Sequence, residues 1–220
     1  MNTVKLNDRE YAPSKVVCIG RNYKSHIKEM GGSDVPVEPV IFIKPNSAVS
    51  YCQPNVFVPE EFGLLHYEVE LCFLVGKKCK DVSLEEASSS IVGYAVGLDL
   101  TLRDRQSAAK KVGGPWALAK GFDGSVPLST FVPTSEAKDP LNLNISLKLG
   151  DEVKQNSNTS MMIFKPVEIL SFVSEFMTIE EGDIFMTGTP EGVGAVHSGD
   201  RILAEIEHLP ALSIDVNRSV

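Results

Sequence analysis

A chain of 220 residues with 43% hydrophobic content and a net charge of −8 carries enough apolar material for a sizeable core, and its acidic balance argues against a nucleic-acid partner. Its apolar runs are broken by glycine or charge well short of the roughly 20 residues a membrane-spanning helix needs. The expectation is a soluble protein of one domain, residues 1–220, with no membrane partner.

Residues 1–9 contain no apolar signal-peptide stretch and no Arg-rich transit pattern, which favours the cytoplasm. Cys18, Cys52, Cys72 and Cys79 form no CxxC pair and read as free thiols, Cys18 and Cys72 as small buried residues in apolar runs. Residues 15–20 read as a buried strand stopped by Gly20. The polar segment after it, to Met30, reads as a short exposed helix ended by Gly31-Gly32. A second strand over 40–44 ends at Pro45, and the stretch through Glu61 reads as irregular connection.

The stretch 66–75, His-Tyr-Glu-Val-Glu-Leu-Cys-Phe-Leu-Val, reads as one strand. Side chains alternate across it, so Glu68 and Glu70 share a face about 7 Å apart at Cα, with Val69, Leu71, Phe73 and Val75 behind them. Burying both carboxylates costs several kcal/mol unless a cation or a proton intervenes. Either the pair is the solvent face of an edge strand, or it holds a hard divalent ion through oxygen ligands.

A short helix near 84–90 precedes a strand over 91–100 that carries Ala95, Gly97 and Asp99 on one face. Residues 101–111 have helical composition, and 116–122 form a small apolar segment holding Lys120. Beyond Pro127 the pattern is mostly β. Residues 141–149 alternate as a half-buried strand running into a hairpin turn at Gly150-Asp151. The best helix spans 166–177, with Val167, Leu170, Val173, Phe176 and Met177 on its apolar face. Gly182-Asp183 and Gly199-Asp200 each lead into a short apolar strand, so the end of the chain reads as closure of a sheet.

Asp99, at the end of an apolar strand, strengthens the metal reading. Three carboxylates leave room for water or substrate oxygens around Mg²⁺ or Mn²⁺, an open and therefore catalytic arrangement. His26 and Glu29, spaced i, i+3, can pair as a general base and its orienting carboxylate, although ordinary helices carry the same pair. Lys120 is either a partly desolvated ammonium facing an anionic intermediate or a snorkelling surface lysine. In 185–194 three glycines and two threonines offer an anion cradle or a tight turn. The segment lacks the Gly-Lys-Ser/Thr ending of a nucleotide-binding loop.

Taken together, Gly20-Arg21-Asn22-Tyr23 with His26 and Glu29, His66-Tyr67-Glu68-Val69-Glu70, Leu98-Asp99-Leu100-Thr101 with Arg103-Asp104, Ala119-Lys120, and the run from Thr187 to Gly194 resemble the fumarylacetoacetate hydrolase family. The likeness is to its short single-domain acylpyruvase and oxaloacetate decarboxylase members. It covers about residues 15–206, leaving 1–14 as an N-terminal extension. It implies an α+β, predominantly β fold, a mixed β-roll with short peripheral helices, assembled as a homodimer. It also implies Mg²⁺ or Mn²⁺ on Glu68, Glu70 and Asp99, catalysis by His26, Glu29 and Lys120, and substrate binding by Thr189 with Arg21, Arg103 and Gln106. Tyr67 stands where some relatives have histidine and should face away from Glu68.

The implied chemistry is a metal-stabilised enolate of a small 2-oxo acid. It is reached by acylpyruvate hydrolysis, oxaloacetate decarboxylation or oxaloacetate keto-enol tautomerisation. An isomerase or decarboxylase of aromatic catabolism, of the 2-hydroxyhepta-2,4-diene-1,7-dioate type, is an alternative. A metal-binding module without catalysis is another; it would have no use for His26, Glu29 or Lys120.

Overall fold

The computed structural model describes residues 1–31 and 34–218. In chain order the first elements are β1 (Val4–Leu6), β2 (Arg9–Tyr11), β3 (Lys15–Gly20), α1 (Lys24–Glu29), β4 (Val40–Pro45), β5 (Val49–Tyr51) and β6 (Asn55–Phe57). Next come β7 (Leu65–Tyr67), β8 (Val69–Val75), α2 (Leu84–Ser90), β9 (Ile91–Leu98), β10 (Thr101–Leu102), α3 (Arg103–Lys111), α4 (Ala117–Lys120), β11 (Val126–Leu128) and β12 (Val132–Pro133). The last are β13 (Asn144–Leu149), β14 (Glu152–Asn158), α5 (Pro166–Phe176), β15 (Ile184–Met186), β16 (Gly194–Ala195), β17 (Arg201–Ile206) and β18 (Leu212–Asn217). The fold is α+β and predominantly β, as expected.

The largest sheet runs β4-β3-β15-β8-β9-β11-β5, with β12 also paired to β9. It is mixed: β3 is parallel to β15 and β5 to β11, while β8 is antiparallel to both its neighbours. A second sheet runs β14-β13-β17-β18-β6. Alternation along β8 sends Val69, Leu71, Phe73 and Val75 into one core. Ile145, Leu147, Ile202, Ala204 and Ile214 of the second sheet meet them there. The other face sends Cys72 and Leu74 into a second core with Cys18, Ala95, Leu128 and Met186, closed over by Val4, Leu6 and Tyr11 of the β1–β2 hairpin. A sheet buried on both faces demands near-continuous apolar strands, which is why β8 has no polar outer face and why a glutamate within it must be accounted for.

Several expectations need correction. The 66–75 strand is two strands, β7 and β8, separated at Glu68. β7 belongs to a small sheet with β10 and β16, so Glu68 marks the point where the chain leaves one sheet for another. There the Val69 N–H donates to the Gln155 side chain instead of to a strand. The helix after Gly20 is not simply exposed, since α1 buries His26 and Ile27. The connection through Glu61 contains β5 and β6, the strand expected from 141 begins at Asn144, and α3 begins at Arg103 because 101–102 pair with β7. On α5, Ile169, Leu170 and Val173 are buried, whereas Phe176 is 68% exposed. The helix ends at that residue, and Met177 already has an extended backbone.

The Gly150-Asp151 hairpin joins β13 to β14, with Gly150 at φ 59°. All four cysteines are free, with Cys18 and Cys72 buried. Among the described residues no helix is long and apolar enough to cross a membrane.

Candidate metal centre and active site

The site lies at one end of the large sheet, where β3, β9 and β15 finish and β8 begins. Pairing of Val69 with Leu98 brings the residues flanking those strands together, and the Asp99 N–H donates to the Glu68 carbonyl at 2.9 Å. Glu68, Glu70 and Asp99 consequently converge, each offering an oxygen within 4.8 Å of the other two, and all three are buried. Tyr67 points the opposite way into the core, as expected.

This cluster is charged and buried, so its electrostatics decide its chemistry. Lys120 is 3% exposed, and its ammonium donates to Glu68 Oε2 at 2.7 Å and to Asp99 Oδ2 at 2.6 Å. It is therefore not a snorkelling surface residue. Burial alone would discharge it, but Asp99 and Glu68 more than offset that and hold its pKa above the ordinary lysine value. Arg103 pairs with the other oxygen of Glu68, donates to Gln106 Oε1 at 2.6 Å, and donates from Nε to His66 Nδ1 at 3.3 Å. Burial would raise Glu68, yet Lys120 and then Arg103 bring it well below the usual carboxylate range.

Glu70 is the opposite case. Its one favourable hydrogen bond comes from the Gly188 N–H at 2.7 Å, while burial and then the charges of Asp99 and Glu68 push its pKa well up. Asp99 Oδ1 is buried with the Lys44 ammonium 2.6 Å away, and the same ammonium donates to the Leu100 and Ser125 carbonyls. An under-neutralised glutamate within a cluster of three converging carboxylates fits a divalent cation of the Mg²⁺ or Mn²⁺ type.

One cavity is lined by Glu68, Glu70 and Asp99 together with Lys120, His26, Arg21, Arg103, Gln106 and Thr189. Of the residues singled out from sequence, Glu29 alone stands outside the lining, behind His26. Its Oε2 lies 3.3 Å from His26 Nδ1 and its Oε1 accepts from the Gly192 N–H at 2.9 Å. With Nδ1 so engaged, Nε2 is the nitrogen left to act.

The glycine segment works differently from the cradle reading. Its Gly188 and Gly192 amides serve the protein's own Glu70 and Glu29, and the Thr187 hydroxyl donates to the Leu71 carbonyl. Gly188, at φ 92°, passes so close to Asn22 and Ile19 that a Cβ would lie 2.8 Å from the Asn22 Cβ. Thr189 alone remains on the cavity wall. Three participants were given no role by the sequence: the buried Lys44 and Gln155 and the half-buried His66. His66 is held neutral, its pKa lowered to about 4 by burial and then by Arg103. Gln155 donates to Thr189 Oγ1 at 2.9 Å. Lysine in an apolar strand beside Pro45 was the available signal for the first.

The sequence profile of fumarylacetoacetate (FAA) hydrolase, C-terminal, matches residues 15–217. The chain belongs to the fumarylacetoacetate hydrolase family. It is 47% identical over 194 residues to oxaloacetate tautomerase YcgM of Escherichia coli (strain K12), covering 88% of each chain. It is 44% identical over 203 residues to the mitochondrial oxaloacetate tautomerase FAHD1 of Homo sapiens, covering 92% of this chain and 91% of that one. Among family members of known structure, fumarylpyruvate hydrolase from Pseudomonas aeruginosa, crystallised with Mn²⁺ and pyruvate, superposes with a TM-score of 0.93. That pair is 37% identical, over 98% of this chain and 95% of the other.

Proposed function

We propose that this protein is a divalent-metal-dependent enzyme that interconverts the keto and enol forms of oxaloacetate, or of a similar small 2-oxo acid, through an enolate. The observation that carries the reading is the joining of a buried carboxylate triad, a buried lysine and a histidine–glutamate pair in one cavity. The two oxaloacetate tautomerases at 44–47% identity support the choice of reaction.

Glu68, Glu70 and Asp99 would hold Mg²⁺ or Mn²⁺, which when bound supplies a Lewis acid for the keto oxygen and carboxylate of a 2-oxo acid. His26 Nε2 takes the C3 proton, and Glu29 orients the ring and stabilises the imidazolium. The C–H pair becomes the C2–C3 double bond, and the carbonyl π pair moves onto O2. Lys120, fixed as a cation, stabilises the charge developing there; it acts as an electrostatic partner, not as the proton donor. Return of the proton to O2 completes the enol. Thr189, Arg103 and Gln106 bind and orient the substrate, with Arg21 at the rim.

The same dyad could activate water against the distal carbonyl of an acylpyruvate, the reading favoured by likeness to the Pseudomonas hydrolase. A homodimer in the cytoplasm completes the proposal, which sedimentation and cell fractionation test. NMR of oxaloacetate and fumarylpyruvate with metal-loaded, chelated and His26→Ala protein separates the reactions. Tautomerisation above the uncatalysed rate, lost on chelation and reduced about 10²–10⁴-fold in His26→Ala, is expected. Unchanged turnover in a metal-bound His26→Ala protein would reject the base.

A further inference from the structure

The cations around the cavity outnumber the carboxylates they pair with. Glu68 and Asp99 are matched by Arg103, Lys120 and Lys44. Lys110 and Arg21 line the same cavity, yet the Lys110 ammonium has no carboxylate partner among the described residues and rests over the Trp116 ring, 5.2 Å from its centroid. Trp116 in turn packs edge-on against Phe42, ring centres 5.6 Å apart. The ammonium thus stands over a half-buried aromatic pair, a cation–π contact that retains the charge while leaving its hydrogen-bond donors unused.

In a chain with 29 acidic against 21 basic residues, two cations directed at one cavity without a carboxylate between them are surplus to the fold. Arg21 holds a left-handed backbone, φ 59°, at the junction between β3 and the helix bearing His26. Such a conformation is unfavourable for a non-glycine residue and persists where something else requires it. Partial desolvation, followed by repulsion from Arg103 and Arg21, lowers the pKa of Lys110, and an anion arriving between these cations offsets that repulsion.

Depth orders the charges. The triad and Lys120 form the buried floor, while Arg21 and Lys110 are exposed at the rim. A ligand whose 2-oxo acid end reaches the floor directs its other end at the rim cations.

We propose that Lys110, together with Arg21, forms a subsite for the distal carboxylate of the substrate and makes the cavity selective for dicarboxylic over monocarboxylic 2-oxo acids. The inference rests on the 2-oxo acid reading of this cavity and adds to it a second recognition point. Trp116 is then the positioning residue for the Lys110 ammonium.

The test uses a non-reacting pair that differs only in the distal carboxylate, L-malate and L-lactate, titrated calorimetrically into the Mg²⁺-loaded full chain. Wild-type protein is expected to prefer malate by about tenfold or more, the scale of one hydrogen bond between charged groups. In Lys110→Met that malate-to-lactate ratio falls about tenfold, and Lys110→Arg restores most of it. Matching thermal melts confirm folding, which an exposed side chain should not disturb.

An equal loss of both affinities, an unchanged ratio in Lys110→Met, or no malate preference in the wild type would overturn the subsite. Parallel assays on oxaloacetate keep the two readings apart. Turnover with an insensitive ratio defeats the subsite alone. A Lys110-dependent malate preference without turnover of any 2-oxo acid defeats the proposed reaction and leaves the subsite standing.

Discussion

Lys44 Nζ lies 2.6 Å from Asp99 Oδ1, and the lysine has no exposed surface. The same ammonium donates to the Leu100 and Ser125 carbonyls at 3.2 and 2.8 Å, so two of its donors hold the backbone while it pairs with the carboxylate. The Asp99 carboxylate still converges with Glu68 and Glu70 as a candidate metal ligand. Removing one partner of a buried pair strands the other charge, so Lys44→Met should destabilise the metal-free protein by about 3–5 kcal/mol in urea unfolding. Adding Asp99→Asn should recover part of that loss; strict additivity of the two substitutions would contradict the coupling.

Glu70 sets a pH dependence of definite sign. Its folded pKa is raised, by burial and then by Asp99 and Glu68, above the ordinary 4.5. Between these two values the metal-free native state holds a proton that the unfolded chain has lost, so this contribution to stability falls as pH rises above about 4.5. Metal uptake requires the deprotonated form and should release a proton. Calorimetry in two buffers of different ionisation enthalpy reads that proton, and Glu70→Gln should flatten the metal-free stability profile while weakening Mg²⁺ binding.

His66 works in the reverse direction. With a folded pKa near 4 against an ordinary 6.5, its contribution is present above pH 6.5 and is lost as pH falls towards 4. Thermal melts of His66→Gln against wild type over that range should converge towards low pH. Parallel curves would show that Arg103 does not depend on a neutral acceptor at this position.

Gln155 ties the glutamate strand to Thr189, proposed to bind substrate, accepting from the Val69 N–H at 3.0 Å and donating to Thr189 Oγ1 at 2.9 Å and the Pro190 carbonyl at 3.0 Å. Gln155→Leu leaves these buried groups unpaired, at about 1–3 kcal/mol, and frees Thr189 to rotate. An increase in KM larger than the fall in kcat is expected. Loss of stability with unchanged KM would restrict Gln155 to a structural role.

At Gly192, φ 92°, an added Cβ would lie 2.0 Å from the Lys154 carbonyl oxygen. Gly192→Ala must therefore shift the loop whose N–H anchors Glu29. Reduced kcat with Mg²⁺ affinity retained is the expected outcome, because the dyad moves while the triad does not. An unchanged kcat would mean that the anchor is dispensable.

Much of this site is legible in the sequence because it is written in local periodicity. The period of two through Glu68 and Glu70 places both carboxylates together, and Asp99 follows an apolar strand in the same way. The break at Glu68 is invisible because alternation continues across it; only the Gln155 side chain, 86 residues away, takes up the Val69 N–H. Lys44 resembles an exposed strand end, since its burial is imposed by Asp99 and carbonyls from distant segments. The glycine loop shows its donors in sequence but not their acceptors, Glu70 and Glu29, which arrive from other elements. Lys110, in the last turn of α3, has no sequence signal that sets it beside Trp116, which follows from the fold.

Calorimetric titration of chelator-stripped protein with Mn²⁺ and Mg²⁺ addresses the metal site itself. One ion per chain should bind to the wild type, with uptake strongly weakened in Asp99→Asn and in Glu70→Gln, both still folded. Absence of uptake by the wild type, or undiminished uptake by either variant, would contradict a metal centre built on Glu68, Glu70 and Asp99.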